Sequence, residues 1–370
     1  MAIFTDIQPE PRHHRYGGGW VGWLLLTIAL IGIVVVALLP APYVIEQPGP
    51  VYDTLGDVRI DGDDVPMIQI PMADTYPTEG SLDMLTVSVV GNRENPPNWL
   101  DIAVAYFDPS KAVVPVDEVY PLGLSVEDSN QQGQVDMANS QKEAVAAALT
   151  ELGYEFSSTL SVVEAQKGGP SDGLLLPGDQ IKTLNGQVFA DVTGLRAAIA
   201  ENGVSKPADV VIERDGVEQT LRINPVLSEG DNPTPIIGII VGSEYDFPID
   251  VDIQLQNVGG PSAGMMFALG IIDKLTPGAV NGGEQVAGTG TISGSGEVGP
   301  IGGIRQKLYG AKAAGADWFF APESNCNEVT GHIPAGLTVF AIETLDDALT
   351  ALEAISAGKD TSSLPTCPTS

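Results

Sequence analysis

The sequence has little positive charge, little cysteine and little histidine. Lys and Arg number 17 against 48 Asp and Glu, which gives a formal net charge of −31. An excess of negative charge repels phosphates, so it excludes nucleic acid and disfavours anionic lipid headgroups as ligands of the folded part. Two cysteines and three histidines leave no zinc cluster, and no H-E-x-x-H is present. We expect no metal and no cofactor, and Cys326 and Cys367 allow one disulfide without requiring it.

Long apolar runs are confined to one place near the N-terminus. From Trp20 to Leu39 there is no charged residue, and about 20 apolar residues are what a helix needs to cross the hydrocarbon core. A cleaved signal peptide usually has a shorter apolar region and an A-x-A-like site, whereas Pro40 follows here. We therefore predict an uncleaved membrane-spanning helix over residues 20–41.

The charges on either side of this run predict its orientation. Arg12 and Arg15 precede it, while Glu46 and Asp53 follow it without a nearby Lys or Arg. By the positive-inside tendency, the short tail is cytoplasmic and everything after the span lies outside the cell.

Three further segments are predicted before residue 157. The stretch Pro40–Gly56 is rich in Pro and Gly and indicates a linker. The segment Met84–Val90 is the clearest strand. The segment Ser140–Leu152 is predicted as a helix in which Ser140 and Glu143 form a capping box at the start.

A unit of strands and turns follows from Ser161. It includes GGPSDGLLLPGDQIKTLNGQ from Gly168 to Gln187, a helix near Asp191 to Glu201, and a hairpin through Asp215-Gly216. The pattern by itself fits an ordinary β-rich core, but the order of its turns resembles a bacterial PDZ domain. A PDZ domain binds an extended peptide as an added strand beside a helix. The resemblance implies a groove whose lining includes Leu160, Val162, Leu195 and Ile199, with Gly153–Phe156 as one candidate for a carboxylate-holding loop.

The most informative short stretch is NVGGPSAGMMFALGIIDKL, from Asn257 to Leu275. It follows the alternating segment PIDVDIQLQ, which predicts a strand over Ile249–Leu255 with one buried face. Ser262 opens the apolar run, where it is either a helix cap or a nucleophile at the positive end of a helix. The residues of this stretch leave both readings open.

A serine nucleophile needs a base, usually His or Lys. His13 and His14 are across the membrane in the predicted topology, and the surroundings of His332 indicate no partner carboxylate. Lys274 lies 12 residues along the helix that Ser262 starts, about 18 Å away, so it is too distant.

The segment PIGGIRQKLYGAKAAG, from Pro300 to Gly315, is the better source of a base. It predicts a Gly-Gly turn and a helix whose apolar stripe lies beside Lys307, with Lys312 at the other edge of that stripe. Arg305 does not lose its proton. A lysine that extends its charged end from a half-buried helix to water would show the same pattern.

These motifs together resemble the proteolytic domain of Lon proteases. The matching stretches are GPSAG (Gly260–Gly264), AGTGTISGSGEVGPIGGIRQKLYGAKAAGAD (Ala287–Asp317) and WFFAPESN after it. The resemblance implies Ser262 as nucleophile, Lys307 as general base and Thr289 as the residue that supports the lysine. The chain departs from the family at Thr291 and Gly259, where many members are acidic, which affects the surroundings of the dyad rather than the dyad itself.

The resemblance and the composition together predict an α+β and α/β protein with a PDZ-like domain inserted in, or preceding, a Lon-type proteolytic domain. Backbone N–H groups of Gly260 and Ala263 are predicted oxyanion donors, because a helix start leaves such groups unpaired. The predicted division is 1–19 cytoplasmic tail, 20–41 transmembrane helix, 42–81 linker and N-terminal β segments, 82–156 N-terminal part of the protease body, 157–228 PDZ domain, 235–355 proteolytic domain and 356–370 C-terminal tail.

The predicted function is that of a membrane-anchored, extracytoplasmic serine endopeptidase for unfolded or flexible-tailed proteins. No G-x-x-x-x-G-K-[ST] motif is present, so we expect cleavage without ATP. Protein or peptide substrates are the expected partners, and Lon-type domains tend to form rings, which makes a homo-oligomer one expectation. The alternative is a catalytically silent PDZ scaffold that tethers exported proteins.

Overall fold

The computed structural model describes residues 19–120, 126–189, 191–228 and 233–369. Residues 1–18 of the predicted cytoplasmic tail, which include Arg12 and Arg15, lie outside these ranges. The helices are α1 (Gly19–Ala37), α2 (Trp99–Tyr106), α3 (Val116–Val119), α4 (Val126–Glu151), α5 (Val192–Asn202), α6 (Gly264–Leu275), α7 (Ile304–Ala314), α8 (Cys326–Val329) and α9 (Leu345–Ser356), with a 3₁₀ turn at Glu323–Asn325. The strands are β1 (Tyr43–Asp53), β2 (Asp57–Ile60), β3 (Asp63–Pro66), β4 (Ile68–Gln69), β5 (Ser81–Val90), β6 (Ala112–Pro115), β7 (Ser157–Ala165), β8 (Gln180–Leu184), β9 (Ala208–Arg214), β10 (Val217–Ile223), β11 (Val226–Leu227), β12 (Pro235–Ile236), β13 (Ile239–Asp246), β14 (Asp252–Ile253), β15 (Gln285–Gly288), β16 (Thr291–Ile292), β17 (Val298–Gly299), β18 (Trp318–Pro322) and β19 (Thr338–Ile342).

A six-stranded sheet organises the larger part of the molecule. Its order is β19-β18-β15-β5-β1-β6, in which the first four strands are parallel, β1 pairs antiparallel with β5, and β6 pairs antiparallel with β1. Alternate side chains enter two cores: Phe320 packs with α4, α6 and α9 on one face, and Phe319 packs with α7 on the other. Because both faces are covered, strands such as β18 are apolar along their whole length.

Strand β1 lies where the Pro and Gly content predicts a linker, and that prediction is wrong. β1 is inside the sheet between β5 and β6, and Val44 and Ile45 are buried. Its prolines are tolerated because Pro48 and Pro50 lie at a register shift against β5 and beyond the residues that pair with β6. The predicted strand Met84–Val90 forms most of β5.

Helix α4 begins at Val126, well before the predicted start at Ser140. Ser140 is therefore inside the helix and does not cap it, and its Oγ donates to the carbonyl of Pro261 at 2.8 Å. Glu143, the other half of the predicted capping box, accepts from Tyr245 Oη at 2.8 Å and from Gly294 N at 2.6 Å. The first half of α4 is polar and exposed, so it lacks the apolar periodicity by which a helix is recognised.

A second sheet has the order β10-β9-β8-β7-β13 and is antiparallel throughout. With α5 it encloses a separate core around Leu160, Ile181 and Val210. β13 follows the predicted end of the PDZ-like unit, yet it pairs with β7 along Ile239–Asp246. Strands from before and after this second sheet lie together in the six-stranded sheet.

Most of the predicted strand Ile249–Leu255 is irregular. Only Asp252–Ile253 is β-structure, paired with β4. The apolar alternation is nevertheless used, because Ile249, Val251 and Leu255 are partly buried against the larger core. Alternation of apolar and polar residues indicates that one face of a segment is buried. A strand forms only where a neighbouring segment also offers backbone groups for hydrogen bonds.

Within the described residues, α1 is the one helix long and apolar enough to cross a membrane. Its Trp20 and Trp23 side chains are 71% and 73% exposed. None of the Trp20–Ala37 segment is buried against the rest of the chain. A core helix would be buried, so a membrane span or a signal sequence accounts for this apolar segment.

The C-terminal tail pairs with the outer edge of β19. Ala341 N donates to Pro365 O at 3.0 Å, and Cys367 N donates to Val339 O at 3.1 Å. A disulfide joins Cys326 to Cys367. The tail thus covers backbone groups that an open sheet edge would expose.

We expect reduction of this disulfide to destabilise the protein. The two cysteines are 41 residues apart, and a cross-link over such a loop removes unfolded-state entropy worth roughly 4 kcal/mol. Thermal unfolding of the full chain with and without reductant measures the effect as a fall in Tm. The double variant Cys326→Ser/Cys367→Ser is the control because it cannot respond to reductant, and an unchanged Tm for the reduced wild type would contradict the expectation.

Candidate active site

Ser262 lies in the turn directly before α6. The helix begins at Gly264 with Ala263 as its N-cap, and no side chain caps it. Ser262 Oγ instead accepts a hydrogen bond from Lys307 Nζ at 2.7 Å. The geometry does not support the capping alternative, because the hydroxyl is directed to the lysine and not to the helix start.

Thr289 completes this cluster. It follows β15 directly, and its N–H donates to Phe320 O in the neighbouring strand β18. Lys307 Nζ donates to Thr289 Oγ1 at 2.9 Å, and Thr289 Oγ1 donates to Ser262 O at 2.9 Å. The threonine hydroxyl therefore connects the lysine with the backbone of the serine turn, and the backbone N–H of Gly290 also donates to Ser262 O at 2.9 Å.

The two helices that supply this cluster pack on opposite faces of the sheet. α6 belongs to the core around Phe320 and α7 to the core around Phe319. They meet at the carboxyl end of β15, which is the position where α/β sheets commonly place their sites. Gly303 starts α7 with a left-handed backbone at φ 67°, and a Cβ there would approach Val87 Cγ2 to 2.6 Å. A glycine is thus required where α7 turns towards Ser262.

Burial determines the charge of the lysine. Lys307 is 2% exposed, and desolvation lowers its pKa from the ordinary 10.5 to about 7. Among the described residues no carboxylate forms an ion pair with it, and its partners are two hydroxyl oxygens. A substantial fraction of this amine is therefore uncharged near neutral pH and able to accept a proton.

Helix α4 contacts the serine turn from the other side, which the sequence pattern does not indicate. Gly260 N donates to Gly133 O at 2.8 Å, and a Cβ on Gly259 would lie 3.1 Å from the backbone of Gly133. The predicted oxyanion donor Gly260 is therefore already engaged. The N–H of Ala263, the other predicted donor, has no acceptor within the described ranges.

Three of the other basic residues considered as bases, Lys274, Lys312 and His332, have partners elsewhere, and His13 and His14 are outside the described residues. Lys274 Nζ donates to Leu55 O, and Lys312 Nζ donates to Asp317 and to Gly336 O. His332 Nδ1 lies 3.1 Å from the Arg305 guanidinium, and burial together with that positive charge lowers the pKa of His332. None of these three side chains contacts Ser262.

A cavity of 440 Å³ lies beside the serine turn. Pro261 borders it together with the β16–β17 pair, and the opposite wall comes from α5 and β13. Val192, Arg196 and Val241 line this cavity and also a neighbouring groove of 580 Å³. The two spaces are therefore adjacent, and Pro261, the residue before Ser262, borders the smaller one.

The groove lies between α5 and β13, and the predicted Leu195 and Ile199 line it. Leu160 and Val162 do not, because β7 lies between β8 and β13 and both side chains are buried in the core. The predicted carboxylate-holding segment Gly153–Phe156 is not part of the lining either. Residues Ile236–Val241 line the groove instead of β7 and the Gly153–Phe156 segment.

The edge strand of this groove is recognisable in the sequence as a segment with high strand propensity. The run Ile236-Ile237-Gly238-Ile239-Ile240 is strongly β-forming, but no local pattern tells which strand ends at a sheet edge.

Within the described ranges, no group of three or more His, Cys, Asp or Glu is arranged to hold a metal.

Comparison with known proteins identifies the segment that carries the cluster. Residues 253–354 match the Lon protease (S16) C-terminal proteolytic domain, so the predicted resemblance is confirmed for this segment. Lon protease 2 of Herpetosiphon aurantiacus is 37% identical over 108 residues, which cover 27% of this chain and 13% of that protein. Lon protease 1 of Bacillus subtilis is 35% identical over 109 residues, 29% of this chain and 14% of that protein. The chain thus spans only a small part of the length of these relatives.

Solved structures that are similar to part of this chain include PDZ domains. The PDZ domain of an SdrC-like protein from Listeria monocytogenes is 20% identical, covers 22% of this chain and 85% of that chain, and has a TM-score of 0.21. The PDZ domain of the SdrC-like protein from Listeria innocua is 22% identical with coverages of 22% and 92% and the same TM-score of 0.21.

Proposed function

We propose that this chain is a serine endopeptidase in which Ser262 is the nucleophile, Lys307 is the general base and Thr289 orients the lysine. The observation that carries the proposal is the 2.7 Å contact between Lys307 Nζ and Ser262 Oγ, in a site whose burial lowers the lysine pKa to about 7. The match of residues 253–354 to the Lon proteolytic domain supports the same reaction class.

The reaction follows from this geometry as an acylation and a deacylation, each with two proton transfers through Lys307. Ser262 Oγ attacks the substrate carbonyl carbon while the lone pair of neutral Lys307 takes the hydroxyl proton. Lys307 then gives this proton to the departing amine, and the acyl group remains on Ser262. Water then attacks the ester carbon while Lys307 takes a proton from it, and Lys307 gives this proton to Ser262 Oγ as the bond between Oγ and the acyl carbon breaks. This step releases the new carboxylic acid and restores both the serine and the neutral lysine.

Thr289 keeps the lysine lone pair available for this transfer. An amine has N–H donors as well as its lone pair, and the bond to Thr289 Oγ1 occupies one donor. The Ala263 N–H at the start of α6 is the oxyanion donor we propose, because the helix start adds its positive end to the developing charge. A second donor at Gly260 would require its bond to Gly133 to open.

We propose that residues 157–246 act as a PDZ-type unit inserted into the proteolytic fold. β13 is an edge strand, so a peptide tail can pair with it beside α5. Lys167 lies among the groove residues near Gly238 and provides a positive charge for a terminal carboxylate, although Glu164 is also nearby. A tail held by its C-terminus there would extend along β13 towards the cavity beside Ser262.

The groove assignment predicts a dependence on the free carboxylate of a bound tail. We expect a labelled peptide acid to bind at least about tenfold more tightly than its C-terminal amide, since a charge-assisted hydrogen bond is worth roughly 1.5–3 kcal/mol. The exposed Lys167→Glu variant should remove this difference. Fluorescence anisotropy with the full chain measures both affinities.

Lys206→Glu is the matched control for that experiment, because Lys206 is exposed on the same unit but is not among the groove residues. Equal affinities of the wild type for the acid and the amide would contradict the role of Lys167.

We further propose that α1 anchors the protein and that the catalytic part lies outside the cell. The exposed apolar surface of α1 is suited to lipid. The disulfide between Cys326 and Cys367 supports an oxidising location, since such bonds are rare in the cytosol. Without a nucleotide-binding motif in its 370 residues, the chain would act on unfolded or flexible segments.

The full chain in nanodiscs, incubated without nucleotide, tests this function. We expect it to cut a permanently unfolded protein at several peptide bonds and to spare the folded form of the same protein, with mass spectrometry identifying the new termini. The absence of any cleavage, with peptide binding retained in the groove, would overturn the peptidase and favour the scaffold alternative. Cleavage only with ATP would overturn the nucleotide-independent mechanism.

A further inference from the structure

Helix α2 is apolar on two opposite faces. Ile102 and Ala105 are buried against Ala41 and Ile45, which accounts for one face. The other face carries Leu100, Ala103, Val104 and Phe107, at the i, i+3, i+4 and i+7 spacing of one helical stripe. We call these four residues the outer stripe.

The outer stripe is open to solvent. Leu100 is 53% exposed, Val104 61% and Phe107 85%. A short helix that buries one apolar face and leaves a second one exposed is unusual for a water-soluble surface, and an exposed cluster of this kind marks an interaction site. No charge interrupts the stripe, and the carboxylates on either side of it have partners. Asp101 accepts from the backbone N–H of Asn98 in the capping box, and Asp108 accepts from the backbone N–H and the hydroxyl of Ser110.

The position of α2 indicates what covers the stripe. Its first residue, Trp99, donates its N–H to Leu39 O at the end of the apolar N-terminal segment, and Ala41 N donates to Pro97 O at 2.8 Å. The start of α2 is therefore attached by backbone hydrogen bonds to the point where the chain leaves α1. The outer stripe therefore begins next to the end of the exposed apolar helix α1.

We propose that α2 lies along the membrane surface, with its outer stripe inserted at the boundary between headgroups and acyl chains of the bilayer that α1 spans. This inference rests on the proposed membrane anchoring. Apolar insertion needs no anionic lipid, which agrees with a chain of net charge −31. Trp99 and Tyr106, both exposed beside the stripe, are the residue types that membrane interfaces favour.

This contact gives the catalytic part a defined orientation. The buried face of α2 packs on β1 and β6 of the large sheet through Ile102 and Ala105. One helical anchor alone would leave the body free to rotate about the chain, whereas a second contact fixes the sheet relative to the membrane.

Site-directed spin labelling of the full chain tests the proposal. Both native cysteines are paired in the disulfide, so a single introduced cysteine is labelled selectively. Labels at Leu100→Cys and Phe107→Cys, in phosphatidylcholine vesicles, should be several-fold more accessible to oxygen, which partitions into lipid, than to a water-soluble nickel chelate. Val217→Cys on β10, where the native side chain is 59% exposed, is the matched control and should show the reverse.

A label at Leu30→Cys in α1 separates the two possible failures. If Leu30 is in lipid while Leu100 and Phe107 respond as Val217 does, the α2 contact is overturned and the anchor stands. If Leu30 itself is accessible to nickel, the anchor fails. Labels on the stripe that are shielded from both reagents would mean that a second copy of the chain covers it, which would also overturn the lipid contact.

Discussion

Replacing Ser262 with alanine is expected to lower kcat/KM for peptide cleavage by roughly 10⁴-fold or more. The variant loses the oxygen that forms the acyl bond, while Lys307 and Thr289 keep their own contact of 2.9 Å. Ser262 is partly exposed, so the fold should tolerate the change. The measurement is the initial rate on an unfolded protein, with intact mass spectrometry after a serine-directed phosphonylating probe as a second readout.

Ser362→Ala is a suitable control, because Ser362 is an exposed residue of the C-terminal tail. This variant should retain full activity and should still gain the mass of the serine-directed probe. Cleavage that persists at the wild-type rate in the Ser262 variant would show that another residue is the nucleophile.

Replacing Lys307 with arginine is expected to remove activity at every pH, and the wild-type pH profile should explain why. A base must be unprotonated, so wild-type kcat/KM should rise about tenfold per pH unit below a midpoint near 7 and level off above it, in line with the lysine pKa of about 7. An arginine keeps its proton throughout this range. A profile that is flat between pH 5.5 and 8.5 would contradict a role for Lys307 as base.

Lys307→Met should be equally inactive but more stable at neutral and acidic pH. The lysine pKa falls from 10.5 unfolded to about 7 folded, so the unfolded state binds more protons between these values and wild-type stability rises with pH across that window. Below pH 7 the burial of the amine costs roughly 4–5 kcal/mol. The Tm advantage of the methionine variant should therefore be largest below pH 7 and vanish towards pH 10.5.

That combination separates a catalytic lysine from a structural one. A lysine that only stabilised the fold would make both variants less stable, whereas a buried amine retained for chemistry makes Lys307→Met inactive and more stable together. A lower Tm for Lys307→Met at pH 6 would contradict the expected cost of burying this charge.

The reactive cluster could be predicted because its residues occur in short motifs. The Gly-Gly-Pro-Ser turn before an apolar run and the Gly-Gly turn before the helix of Lys307 are local patterns, and each predicts a turn and a helix without knowledge of the rest of the chain. The contacts of α4 with the serine turn could not be predicted in this way. Ser140 and Pro261 are 121 residues apart, and the first half of α4 has no apolar stripe.

The groove illustrates a different limit. Its helix, with Leu195 and Ile199, was identifiable from periodicity, but its strand was not. Several segments have strand composition, and whether β7 or β13 lies at the edge depends on which partner each finds in space. The position of β1 also depends on partners that are distant in the sequence. Its Pro and Gly content does not predict a strand, yet it is an internal strand because β5 and β6 pair with it on both sides.

The sequence by itself determined the apolar N-terminal segment, the likeness of one segment to Lon proteolytic domains, and the identities of Ser262, Lys307 and Thr289, because each depends on neighbouring residues or on a short motif. Only the tertiary structure decided that the three side chains meet, that the lysine is buried deeply enough to lower its pKa, that β13 is the open edge, and that α2 carries a second apolar face next to the apolar N-terminal segment. Burial and edge position depend on what packs against an element, and distant parts of the chain supply that packing.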